Sequence, residues 1–439
     1  MLSVCAPSEG ASPPRGESFC APSPAMMAMA SHAQHGAAAP AGGTAPRLGN
    51  TRISLRTSKS SRAERWNLRD VAREITELER LRKCGKTPVG SAVSIRAGAD
   101  GAAGYAGLAT CGSVWACPVC SAKIAAHRKT ELHAVLDWAL AEGLHVSMVT
   151  LTERHHSGQS LELLWDALSY AWGRVTSGAG WRDFKEQMGL CGFVKAVEVT
   201  HGMHGWHVHQ HVLVLSEKNP QTAPLYRYRK VRGKNERQVT SIETPAGFIG
   251  NRWKRALAAK GIDFIADSGG LDWRVARPGD ARELGDYIAK LGGATGAALR
   301  AAKTAEGVAK EATLGQFKKA KRGNRTPFQI LGDIGLFGLS EDVALWQEYE
   351  RVSRGRRAMS WSRGLRQMAQ LGDELTDEEI AAQEEGDRDL AVFDSSVWRE
   401  YVYPVAVTLL EIVETSGAAA LYAYLDREGI PYQLARDTG

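Results

Sequence analysis

The spacing of apolar residues in the middle of the chain predicts two amphipathic helices. In the segment SAKIAAHRKTELHAVLDWALAEG, apolar side chains recur at helical spacing, and the final glycine is a typical helix stop. The positions concerned are Ile124, Leu132, Leu136, Leu140 and the stop Gly143. A second stripe is formed by Leu161, Leu164, Trp165, Leu168, Trp172 and Val175. Each helix is expected to pack its apolar face against a core.

Three further segments have the composition of β-strands. HVSMVTLT (145–152) is rich in β-branched residues, while FVKAVEVT (193–200) and WHVHQHVLVL (206–215) are separated only by HGMHG. Two strands with so short a connection predict an antiparallel hairpin. The order strand, helix, hairpin, helix predicts an α+β fold in which helices flank an antiparallel sheet.

The hairpin carries a concentration of histidines. Alternate residues of a strand share a face, so His207, His209 and His211 are expected to point the same way. Glu198 on the partner strand falls roughly opposite them and would share that face. Any one of these histidines alone is better explained as a hydrogen-bonded core or edge residue. The set beside a carboxylate predicts a site for a divalent metal.

Four of the seven cysteines also cluster along the chain. Cys84 precedes the motif CGSVWACPVC, which contains Cys111, Cys117 and Cys120. A CxxC with an internal proline directs two thiolates at one point, and two more cysteines complete a tetrahedral zinc shell. Four thiolates leave no open position for water, so the predicted four-cysteine zinc knuckle would be structural. Ordinary buried thiols are the alternative.

Composition places the chain among globular proteins, with 439 residues, 44% hydrophobic content and a formal net charge of +6. Residues 1–62 are rich in Pro, Ala, Ser and Gly, and we expect them to form a disordered tail. They lack the pattern of a signal peptide, and no run approaches the ~20 apolar residues of a membrane span. A cytoplasmic protein with no membrane partner is expected, and its cysteines should stay reduced.

Basic residues are concentrated in two places downstream of the hairpin. YRYRKVRGKNER carries six Lys or Arg interleaved with two tyrosines, and residues 290–325 carry nine basic residues against two acidic ones. Such segments suit a phosphate backbone and splayed bases, although each could also be a solvated loop. The candidate DNA-binding residues are Arg227, Arg229, Lys230, Arg232, Lys318, Lys319, Lys321 and Arg322.

The segment GDARELGDYIAKLGG predicts a helix that carries a candidate nucleophile. Its apolar stripe is Leu284, Ile288 and Leu291, with Asp280 as the N-cap. Glu283, Tyr287 and Lys290 follow at i, i+4 and i+7, so carboxylate, phenol and ammonium would share one side. Alternatively, Glu283 completes a capping box with Asp280, and Tyr287 only flanks the core.

Together these motifs resemble the rolling-circle replication initiators of bacterial plasmids in the HUH endonuclease superfamily, and more narrowly the zinc-containing Rep proteins of actinobacterial plasmids. The resemblance runs from about Cys84 to Arg366. VTLT at 149–152 matches the first motif, GWHVHQHVLVL the metal-binding motif and ELGDYIAK the tyrosine motif. CGSVWACPVCSAKI, TPFQIL and WSRGLR are typical of the actinobacterial branch.

The resemblance implies specific roles. His209 and His211 would be the paired ligands of a catalytic Mg or Mn ion, with Glu198 or His207 as the third ligand. The residue between paired ligands is usually hydrophobic, and Gln210 departs from this, which leaves His207 and His209 as an alternative pair. Tyr287 matches the nicking tyrosine. Glu283, four residues earlier, matches the glutamate that replaces a second tyrosine in single-tyrosine members. The phenol needs activation, which the metal and Lys290 could give.

The implied substrate is a single-stranded or hairpin plasmid origin, with host helicase and DNA polymerase as partners. The implied fold is an HUH-like core over residues 126–366, after a zinc-knuckle segment at 63–125 and before an acidic linker and small helical unit at 367–439. A zinc-stabilised DNA-binding regulator, a mononuclear metallohydrolase, and a related transposase or conjugative relaxase are the alternatives.

Overall fold

The computed structural model describes residues 55–99, 101–230, 237–263, 270–276, 280–283, 285–286, 324–384 and 386–434. Most of the expected N-terminal tail, residues 1–54, lies outside the described residues. The remaining segment assigned to the tail contains the start of the first helix, at Leu55.

All strand pairings among the described residues are antiparallel, as predicted. The strands are β1 (Ala92–Ala97), β2 (Ala103–Ala106), β3 (His145–Thr152), β4 (Leu190–Gly202), β5 (Gly205–Ser216), β6 (Leu225–Lys230), β7 (Arg237–Glu243), β8 (Leu271–Val275), β9 (Met359–Trp361), β10 (Arg388–Asp394) and β11 (Gln433–Leu434).

Helices account for most of the remaining described chain. They are α1 (Leu55–Ile75), α2 (Glu79–Lys83), α3 (Pro118–Ala141), α4 (Leu161–Val175), α5 (Gly178–Met188), α6 (Pro245–Ala258), α7 (Pro327–Phe337), α8 (Ser340–Ser353), α9 (Leu365–Met368), α10 (Asp377–Ala382) and α11 (Ala406–Arg427). Residues 281–283 and 285–286 are also helical. The mixed helix and antiparallel-sheet class predicted from the sequence is therefore confirmed.

The central sheet has the order β8-β3-β5-β4-β9, with β5 in the middle. The predicted hairpin is β4 and β5, which pair from Gly202 with Gly205 to Leu190 with Ser216. Its length follows from the long run of β-branched and apolar residues on both strands.

The two faces of the central sheet bury different helices. The odd-numbered residues of β3 and the even-numbered residues of β5 pack against α4, α5 and α6, and the predicted stripe of α4 is buried there. The opposite face holds Val146, Met148, Leu213 and Leu215 under the apolar side of α3. Strand alternation thus separates two hydrophobic layers, one on each side of the sheet.

A second sheet joins the two ends of the described chain. Its order is β11-β10-β1-β2, and β1 pairs with β10 from Ala92 with Asp394 to Ala97 with Arg388. α11 packs on it through Leu409, Leu410, Val413 and Leu421. The segment between Cys84 and Cys111 therefore shares a core with the C-terminal residues, which contain two strands besides their helices.

One helical stretch in the described residues, Ser395–Arg427, is long and apolar enough to cross a membrane by length and composition. Its apolar side chains include Trp398, Leu409 and Leu425, which are buried in the core of the second sheet. A packed core helix meets the same criterion, so this stretch is weak evidence for a membrane span.

Candidate functional site

Glu198, His209 and His211 converge at the middle of the central sheet. Nε2 of His209 lies 2.7 Å from Oε2 of Glu198, and Nε2 of His211 lies 3.4 Å from the same oxygen. The three ligand atoms lie within 4.8 Å of one another, and all three side chains are buried. This group, called the metal trio below, could hold a metal ion.

Sheet register explains the convergence. Glu198 on β4 is paired directly with His209 on β5, and His211 is two residues further along the same face. Thr150 on β3 is paired with His211, and its Oγ1 lies 3.0 Å from Nδ1 of that ring. A hydrogen bond at Nδ1 fixes the ring and leaves Nε2 to face Glu198.

The charge states of the metal trio suit a cation. Burial by itself would raise the pKa of Glu198, but the adjacent His209 and hydrogen bonds from His209 and His211 hold it well below its ordinary value. Burial lowers the pKa of His211. An ionised carboxylate and a neutral imidazole are the forms that bind metals.

His207 lies beside the metal trio. Its ring stacks on that of His209 with centroids 4.6 Å apart, and on its other side it stacks on His155 with centroids 4.7 Å apart. Burial, followed by the nearby His209 and His155, lowers the pKa of His207 to about 3. Of the two histidine pairs considered from the sequence, the structure brings His209 and His211 together around Glu198.

Gln210, the departure from the family pattern, faces away from the metal trio. It is fully buried on the opposite side of β5, and neither its Oε1 nor its Nε2 has a hydrogen-bond partner. Glu153, just after β3, is also fully buried, and neither carboxylate oxygen has a partner. Burial raises the pKa of Glu153 to about 9, so the carboxyl is protonated at neutral pH.

The four clustered cysteines come together as predicted. Sγ of Cys84 lies 3.8 Å from that of Cys117 and 3.6 Å from that of Cys120, and Cys111 lies 3.7 Å from Cys120. All four are buried and free of disulfides. Cys117 also caps α3, where Pro118 occupies the first turn. The group, called the knuckle below, could hold a metal ion.

The described start of the tyrosine motif, in the helical residues 281–283 and 285–286, docks on α3. Oδ2 of Asp286 lies 3.0 Å from Nζ of Lys129, and its Oδ1 contacts Nε2 of His133. One turn earlier, Arg282 makes two hydrogen bonds of 2.9 Å and 2.8 Å to Asp137. Polar groups of α3 and its docked helix are thereby paired across the interface.

Close packing of small residues also holds the docked helix against α3. Ala281 is fully buried in the apolar layer that α3 forms over the central sheet. A Cβ at Gly285 would lie 2.4 Å from Cδ1 of Leu136, so a larger residue would push the two helices apart. The described part of the motif therefore lies over the sheet face that carries the metal trio.

The residues proposed for nicking are only partly described. Glu283 is exposed on the docked helix, whereas Tyr287 and Lys290 lie outside the described residues. The sequence reasoning did not single out Asp286, Lys129 or His133. A carboxylate directly before the tyrosine, with basic residues at i and i+4 of another helix, was the available signal.

The first five residues of the tyrosine-containing basic segment, 226–230, lie in a strand rather than a loop. β6 pairs with β7, and Tyr226 and Tyr228 share an exposed face with Ile242 and Val239. Arg227 pairs with Glu243 and Arg229 is exposed. The backbone of Lys230 ends β6. The remaining basic candidates, Arg232, Lys318, Lys319, Lys321 and Arg322, lie outside the described residues.

Comparison with known proteins identifies the family. Residues 107–220, which include three knuckle cysteines and the whole metal trio, match the family described as replication protein. "Protein rep" of Streptomyces lividans is 31% identical over 333 residues, covering 66% of this chain and 70% of that protein.

"Neomycin resistance protein" of Streptomyces cyanogenus is 36% identical over 143 residues, covering 27% of this chain and 32% of that protein. No solved structure is significantly similar to the chain. Because the similarity to the Streptomyces lividans protein extends over two thirds of both sequences, the chain belongs to the Rep family of plasmid replication proteins.

Proposed function

We propose that this protein initiates rolling-circle replication of a plasmid by nicking a single-stranded or hairpin origin. The observation that carries the proposal is the common location of the metal trio and the docked tyrosine-motif helix. Glu198, His209 and His211 lie on one face of the central sheet, and residues 281–286 lie against α3 over the same face. Membership in the Rep family supports replication as the process.

The metal trio has the donor set of a Mg or Mn site, in which the ion would polarise the scissile phosphate and neutralise charge on its oxygens. Oxygen and imidazole donors suit such ions, whereas the four thiolates of the knuckle suit zinc. The two sites would therefore take different metals. Zinc would stabilise the start of α3, and α3 in turn supports residues 281–286.

In the proposed reaction the phenol oxygen of Tyr287 attacks the phosphorus. A bond forms between that oxygen and phosphorus while the bond from phosphorus to the 3′ oxygen breaks. The phenol loses its proton, and the 3′ oxygen leaves as a hydroxyl that primes the host polymerase. Lys290 would favour the phenolate. The product is a 5′ phosphotyrosine link between protein and DNA.

Release would require a second cut at the regenerated origin. Glu283, which is exposed and comes four residues before Tyr287 in the sequence, would act as the general base for water in that step. The basic residues of β6 and the 318–322 segment would bind phosphates, and host helicase and polymerase would extend the primer. Such a protein would be cytoplasmic, and its core would have an HUH-like fold.

Covalent capture tests the proposal. Full-length protein, Mn and end-labelled single strands from the origin region of its plasmid should give a protein-linked oligonucleotide that withstands denaturation. Tyr287→Phe keeps the ring and removes the nucleophilic oxygen, so the adduct should disappear. Tyr228→Phe, which alters an exposed tyrosine of β6, is the matched control and should keep it.

The alternatives give different results in the same experiment. A zinc-stabilised DNA-binding regulator would bind the origin and form no adduct, and a mononuclear metallohydrolase would cut it without a covalent link. Either result would overturn the proposed nicking chemistry. A transposase or relaxase would form the adduct as well, and only a replication assay of the plasmid with Tyr287→Phe separates it from an initiator.

A further inference from the structure

A row of stacked imidazoles leads away from the metal trio. The rings of His209 and His207 are stacked with centroids 4.6 Å apart and an interplanar angle of 23°. The rings of His207 and His155 continue the row at 4.7 Å and 21°. His209 is a member of the trio, whereas His207 and His155 are half-buried and partly open to solvent.

The row is held by the strands that form the metal site. His207 and His209 are on β5, and His155 lies three residues after the end of β3, the strand paired with β5. The loop after His155 touches the hairpin turn, because a Cβ at Gly205 would lie 2.8 Å from Cα of Ser157. The outer ring is thereby fixed relative to the metal trio.

The surroundings of the outer ring suit a nucleic-acid strand. Arg154, directly before His155, is exposed and can meet a phosphate. Met203, in the turn between β4 and β5, is 84% exposed and offers an apolar tip. At this end of the sheet, the ring of His155 can stack on a base and Arg154 can bind a phosphate. Met203 can contact the edge of an unpaired base.

A second metal site explains the row less well. In the described part of the chain, two groups bring three or more ligand atoms within 4.8 Å of one another, and neither contains His155 or His207. The nitrogen lone pairs of each ring lie in the plane of that ring, so rings that lie nearly parallel do not direct them toward one shared point. Contacts through the ring faces therefore explain the row better than metal binding through the ring nitrogens.

We propose that His155 and His207 form a stacking subsite for an unpaired nucleobase next to the scissile phosphate. The proposal rests on the nicking function proposed above and adds to it a contact that holds the strand by a base. His155 supplies the outer ring face, and His207 supports it from behind. Since every base has a flat face, the subsite would fix the position of the strand without selecting its sequence.

Binding without added Mg or Mn tests the subsite separately from nicking. Full-length zinc-loaded protein without added Mg or Mn would be titrated with two fluorescent single strands of equal length, one of thymidines and one of abasic units, which carry the same phosphates. Wild type should prefer the thymidine strand. His155→Ala should reduce that preference by roughly fivefold or more and leave the abasic strand unchanged, while His155→Phe should keep the preference.

Two matched variants complete the design. His145→Ala removes the same side chain at the far end of β3 and should keep the preference. His155→Leu keeps an apolar side chain without an aromatic face, so it should behave as His155→Ala even where the smaller variant folds poorly. Thermal melting of each variant checks the fold.

Three outcomes would overturn the subsite: equal weakening of both strands by His155→Ala, failure of His155→Phe to keep the preference, or no change in any variant. The failure of the nicking proposal looks different. It would appear as the absence of a covalent adduct in Mn, whereas the strand preference without added Mg or Mn does not depend on Tyr287.

Discussion

Oδ2 of Asp286 lies 3.0 Å from Nζ of Lys129, so the helix that leads into the tyrosine motif is tied to the helix that begins in the knuckle. The same carboxylate contacts two successive turns of α3, because Oδ1 of Asp286 also contacts Nε2 of His133. It gives α3 two roles, since its first turn carries two knuckle cysteines and its middle positions residues 281–286.

Disrupting this tie should slow nicking more than it weakens DNA binding. Asp286→Ala leaves Lys129 and His133 unpaired and frees the residue before Tyr287, so adduct formation should fall by about tenfold or more, as a nucleophile is misplaced. The exchange Lys129→Asp with Asp286→Lys should recover part of the rate. Single-turnover adduct formation with saturating DNA is the measurement.

A distant ion pair provides the control for that experiment. Arg351 and Glu162 form an exposed pair at 3.2 Å, away from α3. Arg351→Ala should leave adduct formation unchanged, because exposed pairs contribute about 0 to 1 kcal/mol. If Asp286→Ala behaves in the same way, the tie between the two helices has no part in the reaction.

The metal trio should be necessary for nicking and dispensable for duplex binding. His209→Ala with His211→Ala, or Glu198→Gln alone, removes donors that converge within 4.8 Å, so no adduct should form in Mn. Duplex binding depends mainly on phosphate contacts elsewhere and should remain. Gel-shift and adduct assays on the same protein samples measure both.

Gln210, which lies between His209 and His211 on β5, offers a control variant. Gln210 points to the opposite face of β5, where its amide has no hydrogen-bond partner. Gln210→Leu should keep nicking, and it should not lower stability, because an unpaired buried amide is replaced by an apolar group. Nicking by the double histidine variant would reject the ligand assignment.

The knuckle should matter for folding rather than for chemistry. Cys117→Ser with Cys120→Ser removes half of a buried four-thiol group and should lower the melting temperature markedly, because a structural zinc contributes directly to folding. Cys191→Ser alters a half-buried cysteine outside the knuckle and should have little effect. Zinc content after purification under reducing conditions should be close to one per chain, and its absence would contradict the site.

Local patterns were sufficient to predict the hairpin and both metal groups. His209 and His211 alternate with core residues on one strand, and the CxxC with its proline caps a helix, so short-range geometry determines most of each group. The choice of Glu198 as the candidate third ligand depended on register, because Glu198 faces His209 only when the hairpin turns at Gly202 and Gly205.

Contacts between distant segments were not predictable in this way. β1 pairs with β10 across almost the whole described chain, and no periodicity specifies which strands will meet. The same limit applies to Asp286 with Lys129 and to His155 with His207. The alternation of YRYRK indicated basic and aromatic residues but was interpreted as a loop, because its partner β7 has little apolar content.

Glu153 should make the protein less stable as pH rises. Its pKa is about 9 in the folded protein, against an ordinary value of 4.5. Between these values the folded state holds a proton that the unfolded state has lost, so the free energy of unfolding falls by at most about 1.4 kcal/mol per pH unit. Glu153→Gln should remove this slope, measured by denaturant unfolding at pH 5, 7 and 9.

A variant of an exposed acid tests whether the pH dependence of the free energy of unfolding is caused by the buried carboxyl of Glu153. Glu142 is exposed just after α3, and Glu142→Gln should keep the wild-type dependence on pH. At pH 5 the protonated Glu153 and a glutamine are both neutral, so wild type and Glu153→Gln should be similarly stable. A slope that survives in Glu153→Gln would assign it to other groups.

A variant of Glu283 should separate the cut that starts replication from the cut that ends it. Glu283 is exposed on the docked helix and comes four residues before Tyr287 in the sequence, and we expect it to take a proton from water when the regenerated origin is cut. Glu283→Ala should form the phosphotyrosine link at a near-normal rate but accumulate multimeric single strands, which gels of replication products would resolve. Glu142→Gln, which alters an exposed acid just after α3, is a control that should terminate normally. If Glu283→Ala also terminates normally, the capping box with Asp280 becomes its role, and the variant should lose only about 0.5 to 2 kcal/mol of helix stability.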